Sequence, residues 1–240
     1  MTNKVDILAI GAHPDDVELS AGGTIAKAVA EGKSVAILDL TEGELGSRGT
    51  VEQRYKEAEN AAKILGVQFR ENLKLPDGFI KEDKDTLVKI IAKIRKYQPE
   101  ICLINAPSDR HPDHGVAASF SKRACFLSGL LKIETELNGI KQDKWRPKAV
   151  YHYIQDNHLE PDFVVDITGF EAKKFHAVKA YESQFYKPNM EGPKTPISGE
   201  EFFDLLNAKL VQFGRPIQKK SAEGFIATRT PGVNQITDLI

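Results

Sequence analysis

Two short clusters hold most of the chemistry-bearing side chains of this 240-residue chain. The first is Gly11-Ala12-His13-Pro14-Asp15-Asp16. The second, about 95 residues later, is Ser108-Asp109-Arg110-His111-Pro112-Asp113-His114. Neutral imidazole and carboxylate together suit a divalent metal such as zinc or ferrous iron. Two histidines with one carboxylate leave coordination positions open for water and substrate. In the first cluster three acceptor-bearing side chains follow one tight turn, and not all of them can face one ion. If one Asp ligates, its neighbour is placed to act as a general base. His111 and His114 share a face of a helix start, so one can ligate while the other approaches the substrate. Asp113 can orient a histidine, as carboxylates do around metal sites. The plainer alternative is that an Asp pair after a strand caps a helix, with Pro14 at the junction. Paired histidines beside an Asp are harder to explain in that way.

The elements around these clusters alternate between strand and helix. Val5 to Gly11 and Ser34 to Leu40 are apolar runs suited to strands buried on both faces of a parallel sheet. Glu100 to Asn105 is another, and Phe69 to Leu75 is a weaker one. Helices are expected over Ala21 to Gly32, Val51 to Gly66, Thr86 to Tyr97 and Gly115 to Leu131, the first two closed by glycine. Further on, Ala149 to Ile154 and Phe163 to Ile167 read as strands, and Glu171 to Ser183 and Glu200 to Phe213 as helices. The Pro/Gly-rich stretch Lys187 to Gly199 reads as a long loop, either a lid or an interface segment. This pattern implies an α/β fold: a Rossmann-like, mostly parallel sheet with helices on both faces, formed by residues 1–240 as one domain. In a 3-2-1-4-5 strand order the first and fourth strands are neighbours at the switch point, where ligands bind outside the C-terminal strand ends. The two clusters would then meet across one crevice.

Composition excludes several other functions. Lys+Arg number 33 against 34 Asp+Glu, a net charge of -1, which disfavours a general nucleic-acid binder. Cys102 and Cys125 form no C-x-x-C pair, and a reducing, cytoplasmic compartment is the simpler reading. The N-terminus lacks the features of a signal peptide. No stretch approaches the roughly 20 apolar residues of a membrane span. The first strand-to-helix turn has no G-x-G-x-x-G and places two carboxylates where a pyrophosphate would lie, which argues against a nucleotide-binding module. A two-metal phosphoesterase would need more ligands than the set counted here.

The AHPDD and HPDH motifs resemble those of the LmbE-like, or PIG-L-like, zinc de-N-acetylases. The resemblance extends over nearly the whole chain. It includes TEGELGSRGT at Thr41 to Thr50, the helix from Arg54 to Gly66, NLKLPDG at Asn72 to Gly78, AYESQF at Ala180 to Phe185 and AEGF at Ala222 to Phe225. These flanking segments look most like the bacillithiol-biosynthesis branch, whose members deacetylate N-acetylglucosaminyl-malate. The resemblance implies that His13, Asp16 and His114 hold the metal, zinc or Fe(II), and that Asp15 is the general base. It implies that His111 stabilises the oxyanion or protonates the leaving amine, with Asp113 orienting it, and that Arg54 contacts substrate. Arg48 and Arg110 join Arg54 as candidates because guanidinium forks match the carboxylates of malate. Some relatives use a tyrosine at the oxyanion. Tyr181 and Tyr186 are the candidates, with packing or surface roles favoured. His152, His158 and His176 have no partner motif and read as structural or surface residues. The implied partner is a small N-acetylated amino sugar, with neither nucleic acid nor membrane involved. A homo-oligomer, trimer or hexamer, is expected. The alternative within this reading is a de-N-acetylase of another N-acetylglucosaminyl conjugate or of chitooligosaccharide.

Overall fold

The apolar runs become the strands of one sheet in the computed structural model, which describes residues 3–188 and 191–239. In chain order the elements begin β1 (Ile7–Gly11), α1 (Asp16–Ala30), β2 (Val35–Thr41), α2 (Val51–Leu65), β3 (Phe69–Leu75), α3 (Lys84–Tyr97), β4 (Ile101–Ile104) and α4 (Pro112–Leu127). A small hairpin, β5 (Glu136–Leu137) and β6 (Ile140–Lys141), precedes β7 (Ala149–Tyr153), β8 (Phe163–Asp166), α5 (Glu171–Lys179), α6 (Glu201–Gly214) and β9 (Ala222–Ala227). The sheet order is β3-β2-β1-β4-β7-β9-β8, and β1 pairs in parallel with both β2 and β4. Strands one and four are therefore neighbours, as the sequence pattern requires. β9 runs antiparallel between β7 and β8. Neither β9 nor the β5–β6 hairpin is foreseen from sequence: the hairpin strands are two residues each, and Glu223 and Gly224 interrupt the apolar run of β9.

Strand alternation sorts the core onto two faces. Leu8 and Ile10 of β1, with Ala36 and Leu38 of β2, pack against Leu87, Ile90 and Ile94 of α3 and Phe120 of α4. Ile7 and Ala9, with Val35 and Ile37, pack against Val17, Ala21 and Ile25 of α1 and Ala61 and Leu65 of α2. Helix starts are set by local chemistry. Thr50 Oγ1 accepts from the Gln53 amide, and Asp83 Oδ1 from the Thr86 amide. Two helices start earlier than their apolar pattern suggests. α1 begins at Asp16 and α4 at Pro112, so the first turns of both are made of the chemistry-bearing residues themselves.

α1 is anchored from the far end of the chain. Lys174 of α5 and Glu223 of β9 form a fully buried ion pair at 2.6 Å. Lys174 Nζ also donates to the carbonyls of Glu18 and Leu19, at 3.2 and 2.6 Å. The two Glu223 oxygens accept from the amides of Gly23 and Thr24, at 2.9 and 2.7 Å. Gly23 is needed there, since a Cβ on it would lie 2.5 Å from Ile167. No helix among the described residues is long and apolar enough to cross a membrane.

The β3–α3 seam gives a pH-dependent contribution to stability. Glu71 of β3 accepts from Lys93 and Lys96, both at 2.6 Å, and from the Tyr97 hydroxyl. Burial opposes its charge, but the three donors outweigh burial and bring its pKa down to about 2. A depressed carboxylate stabilises the fold above its unfolded pKa, and that contribution is lost as pH falls through the folded value. Glu71→Gln is expected to cost about 1–2 kcal/mol at pH 7, after allowance for solvent screening. Urea titrations of the two proteins should show this gap narrowing as pH drops below about 4.5 toward 2.

Candidate metal centre and active-site cleft

The β1 exit and the β4 exit place their clusters face to face. The rings of His13 and His111 meet edge-on with centroids 4.5 Å apart, and His114 lies 5.4 Å from His13 and 5.2 Å from His111. Asp16 joins them. Its Oδ1 is 3.1 Å from His114 Nε2 and its Oδ2 is 3.7 Å from His13 Nδ1. The same carboxylate accepts from the His13 amide at 3.0 Å, from Asn105 Nδ2 at 3.0 Å and from Gln155 Nε2 at 2.6 Å. Burial penalises its charge, but the neighbouring His114 charge and the hydrogen bonds from both histidines hold it well below the usual carboxylate range.

Each of these histidines has a carboxylate behind it. His13 Nε2 is 3.0 Å from Asp77 Oδ1, and His114 Nδ1 is 2.6 Å from Asp109 Oδ2. Burial disfavours charge on both rings, but the acidic partners prevail. His13 is lifted well above its ordinary value by Asp113, Asp16 and Asp77, and His114 to about 9 by Asp16 and Asp109. His111 behaves oppositely. Burial and the charges of His13 and His114 lower its pKa. Its Nδ1 accepts from the Asp113 amide at 3.3 Å as the cap of α4. The neutral ring therefore carries its proton on Nε2, as a donor on the wall of the cleft.

Asp15 sits between the clusters in a conformation that L residues rarely adopt, with φ 110° and ψ −26°. Its side chain makes no capping bond, so the plain helix-cap alternative does not describe it. Its Oδ2 pairs with Arg54 Nη2 at 3.2 Å. Burial raises the Asp15 pKa to about 7 against the pull of Arg54. Arg54 also donates to the Pro14 carbonyl, while its buried Nε has no hydrogen-bond partner among the described residues. Gly43 makes room for this guanidinium, since a Cβ there would lie 3.0 Å from it. His13, Asp15, Asp16, Arg54, Asp77, His111 and His114 border a cleft of about 300 Å³, whose lining also includes Thr195, Pro196 and Ile197.

The chain is similar to several known proteins. The profile of the family described as PIG-L, GlcNAc-PI de-N-acetylase, matches residues 8–125, a span that contains both clusters. A diacetylchitobiose deacetylase of Thermococcus kodakarensis is 32% identical over 189 residues, 75% of this chain and 70% of the relative. The chain belongs to the PIG-L de-N-acetylase family. A conserved protein of Thermus thermophilus shares the PIG-L fold at a TM-score of 0.84 and 35% identity, covering 96% of this chain and 98% of that one. A 4-oxalmesaconate hydratase of Pseudomonas putida is 28% identical over 198 residues, 76% of this chain and 75% of the relative. The proteins this chain resembles thus include one named as a hydratase as well as one named as a deacetylase.

The PIG-L donor set in this chain fits a divalent cation. Ligand atoms of His13, His111 and His114 all lie within 4.8 Å of one another. Four ligands around a tetrahedral zinc stand about 3.4 Å apart. The Asp16 oxygens lie 3.1 and 3.7 Å from the two histidines they face, which brackets that spacing. A second grouping, His13 with Asp77 and Asp113, shares the His13 ring.

Several expected residues are placed differently. The Asp113 carboxylate does not hold the His111 ring, which bonds to this residue only through the Asp113 amide. Its Oδ2 lies 3.6 Å from His13 Nε2 and accepts from the Gly78 amide at 2.8 Å, because α4 turns this side chain toward the 76–78 turn. Arg48 does not line the cleft. Its guanidinium is spent on the carbonyls of Ser183, Glu191 and Pro193, pinning the loop that follows α5. Arg110 does line the cleft, half-exposed, with its Nε on Asp156. Tyr181 is buried and donates to Glu18, and Tyr186 is partly exposed on the surface. His152 is a buried residue whose Nδ1 is bonded to the Asn105 carbonyl, in keeping with a structural role. Of the loop from Lys187 to Gly199, Asn189 and Met190 lie outside the described residues.

Four site residues are given no role by the sequence reading: Asp77, Asp109, Asn105 and Gln155. Asp77 lies in the NLKLPDG segment, where Pro76-Asp77-Gly78 is by composition a turn and carries no sign of a histidine partner. Asp109 stands two residues before His111, which is the one available signal. Its other oxygen accepts from the amides of Asp156 and Asn157, at 3.1 and 2.7 Å, so it is held as well as holding. Asp109→Asn, isosteric but uncharged, should keep the melting temperature within a few degrees. It should weaken zinc affinity about 10- to 100-fold in a chelator-competition titration.

Proposed function

We propose that this PIG-L de-N-acetylase hydrolyses the acetamide of an N-acetylglucosaminyl conjugate, with N-acetylglucosaminyl-malate as the substrate and acetate as a product. The observation that carries the reading is the meeting of His13, Asp16, His111 and His114 with a raised-pKa carboxylate, Asp15, in one cleft. His13, Asp16 and His114 are assigned as the residues that hold a divalent ion, zinc or Fe(II). When bound, such an ion supplies Lewis acidity that polarises a carbonyl and acidifies water.

The chain's own residues supply the rest. Asp15 accepts a proton from the attacking water. An uncomplexed carboxylate in this environment titrates at about 7, within reach of a general base's working range. Arg54, fixed on the Pro14 carbonyl and on Asp15, keeps that carboxylate in position. His111 donates from Nε2 to the oxygen that gains charge as the carbon becomes tetrahedral, a term often worth about 3 kcal/mol. The leaving nitrogen takes up the proton that completes C–N cleavage. Asp77 and Asp109 hold the rings of His13 and His114 in orientation, and Asp113 supports His13 rather than His111.

Support for a malate-bearing substrate comes from Arg54, which lines the cleft and whose buried Nε has no hydrogen-bond partner among the described residues, a guanidinium suited to a carboxylate. A second reading, deacetylation of chitooligosaccharide, is favoured by the relative from Thermococcus kodakarensis. A panel comprising the malate conjugate, diacetylchitobiose and N-acetylglucosamine, assayed for released acetate with zinc-loaded protein, separates the two. Preference for the malate conjugate supports the first, and preference for the disaccharide replaces it. Absence of acetate from every member would sink amide hydrolysis and leave hydration chemistry as the reading to pursue. Asp15→Asn should retain one ion per chain by elemental analysis while kcat falls at least 100-fold. Loss of the ion with normal activity per bound ion would remove Asp15 from the role of base.

A further inference from the structure

The cleft continues past the histidines into a second compartment. It too encloses about 300 Å³ and shares Leu19, Arg110, His114, Gln155 and Ile197 with the first. The two differ in chemistry. The first offers Ser47, Arg54 and Gln184, with Gly43 and Gly46 exposing backbone beside them. The second is walled by Phe202, Leu205, Leu206 and Ala208 of α6, facing Leu19 and Ile197.

The charges at the rim of this second compartment are already engaged. Arg110 is paired with Asp156, and Lys209 Nζ donates to the carbonyls of Gln155 and Asp156. An anion or a sugar hydroxyl would have to displace these bonds, whereas an alkyl chain would not. The wall is also built in advance. The Phe202 ring stacks on Phe185 at 5.7 Å, and Leu206 is buried. Leu205 stays 64% exposed, an apolar side chain at the open end of an apolar recess.

We propose that this compartment receives the acyl chain of the substrate amide, and that the protein hydrolyses N-acyl amino sugars with chains longer than acetyl. The inference rests on the amide-hydrolase reading above. His114 walls both compartments, so an amide carbonyl beside it has polar space on one side and apolar space on the other. An acyl chain leaves the carbonyl carbon directly. A glycosidic alkyl group is set off from that carbon by the nitrogen, two ring carbons and the glycosidic oxygen, and reaches the recess less readily. The reaction itself is unchanged. The water oxygen bonds to the acyl carbon, the C–N bond breaks, and a water proton ends on the nitrogen, giving an amine and a carboxylic acid.

The test compares N-acetyl-, N-butanoyl- and N-hexanoyl-glucosamine, with an octyl glycoside of N-acetylglucosamine as a control arm, using zinc-loaded protein. The expected result is a rise in kcat/KM of about threefold per added methylene through hexanoyl, near the full transfer value of a buried methylene. Ala208→Trp, an exposed helix position that fills the recess, should lower the hexanoyl-to-acetyl ratio at least tenfold. Hexanoyl-glucosamine should also bind the metal-free protein more tightly than acetyl-glucosamine in calorimetry, with the difference lost in Ala208→Trp. Cleavage of the acetyl compound alone would overturn the acyl subsite and leave amide hydrolysis standing. Enhancement confined to the octyl glycoside would also overturn it, reassigning the recess to the leaving group. Failure of all these compounds, acetyl included, would overturn the acyl subsite, and failure of the malate conjugate and diacetylchitobiose as well would remove the amide-hydrolase reading with it.

Discussion

A buried carboxylate must be satisfied or it will not stay charged, and Asp16 is where this protein meets that demand. It is 2% exposed, and its partners come from three different strand exits: the His13 amide after β1, Asn105 and His114 after β4, and Gln155 after β7. These partners converge only if β1, β4 and β7 lie side by side in the sheet. The strand order is thus a precondition of one ionised side chain. Asn105 does a second service, because its Oδ1 accepts from the Ala12 amide and ties the β1 exit directly to the β4 exit.

The neighbouring Asp15 shows how little distance separates two electrostatic fates. Both side chains are buried, and they are adjacent in sequence. Asp16 faces two histidine rings and is driven well below the ordinary range, while Asp15 faces one guanidinium and rises to about 7 as burial outweighs that pull. The left-handed backbone at Asp15 is what points successive carboxylates to different surroundings. Strain of this kind, of order 1–3 kcal/mol, persists only where the surroundings over-determine it. Here the Arg54 contacts to Pro14 and Asp15 and the Asp16 network do so on either side.

Much of this is legible in the sequence. The buried strands and the AHPDD and HPDH clusters can be read because continuous apolar runs and adjacent histidines carry their own pattern. Single residues with ordinary local roles cannot. Asp77 belongs to a turn, Gln155 to a loop and Asn105 to a strand end, and each becomes a site residue only when the sheet has closed. Arg48 and Arg54 illustrate the opposite difficulty. Both suit a carboxylate equally by type, but Arg48 is consumed by backbone carbonyls and Arg54 is not. The apolar period misplaces the starts of α1 and α4 for a related reason. Their first turns are polar because they serve the cleft, and a hydrophobic pattern cannot reveal a turn built for that purpose.

The Glu223–Lys174 anchor on α1 also has a consequence in time. The Gly23 amide waits for a partner 200 residues later in the chain. At ribosomal rates of about 5–20 residues per second, that interval is about 10–40 s. Throughout it, α1 and the turn preceding it would be on hand without the side chains that brace the middle of the helix. The turn before α1 would thus be made well before the residue that braces the helix behind it, and the middle of α1 would be held only once β9 had been made.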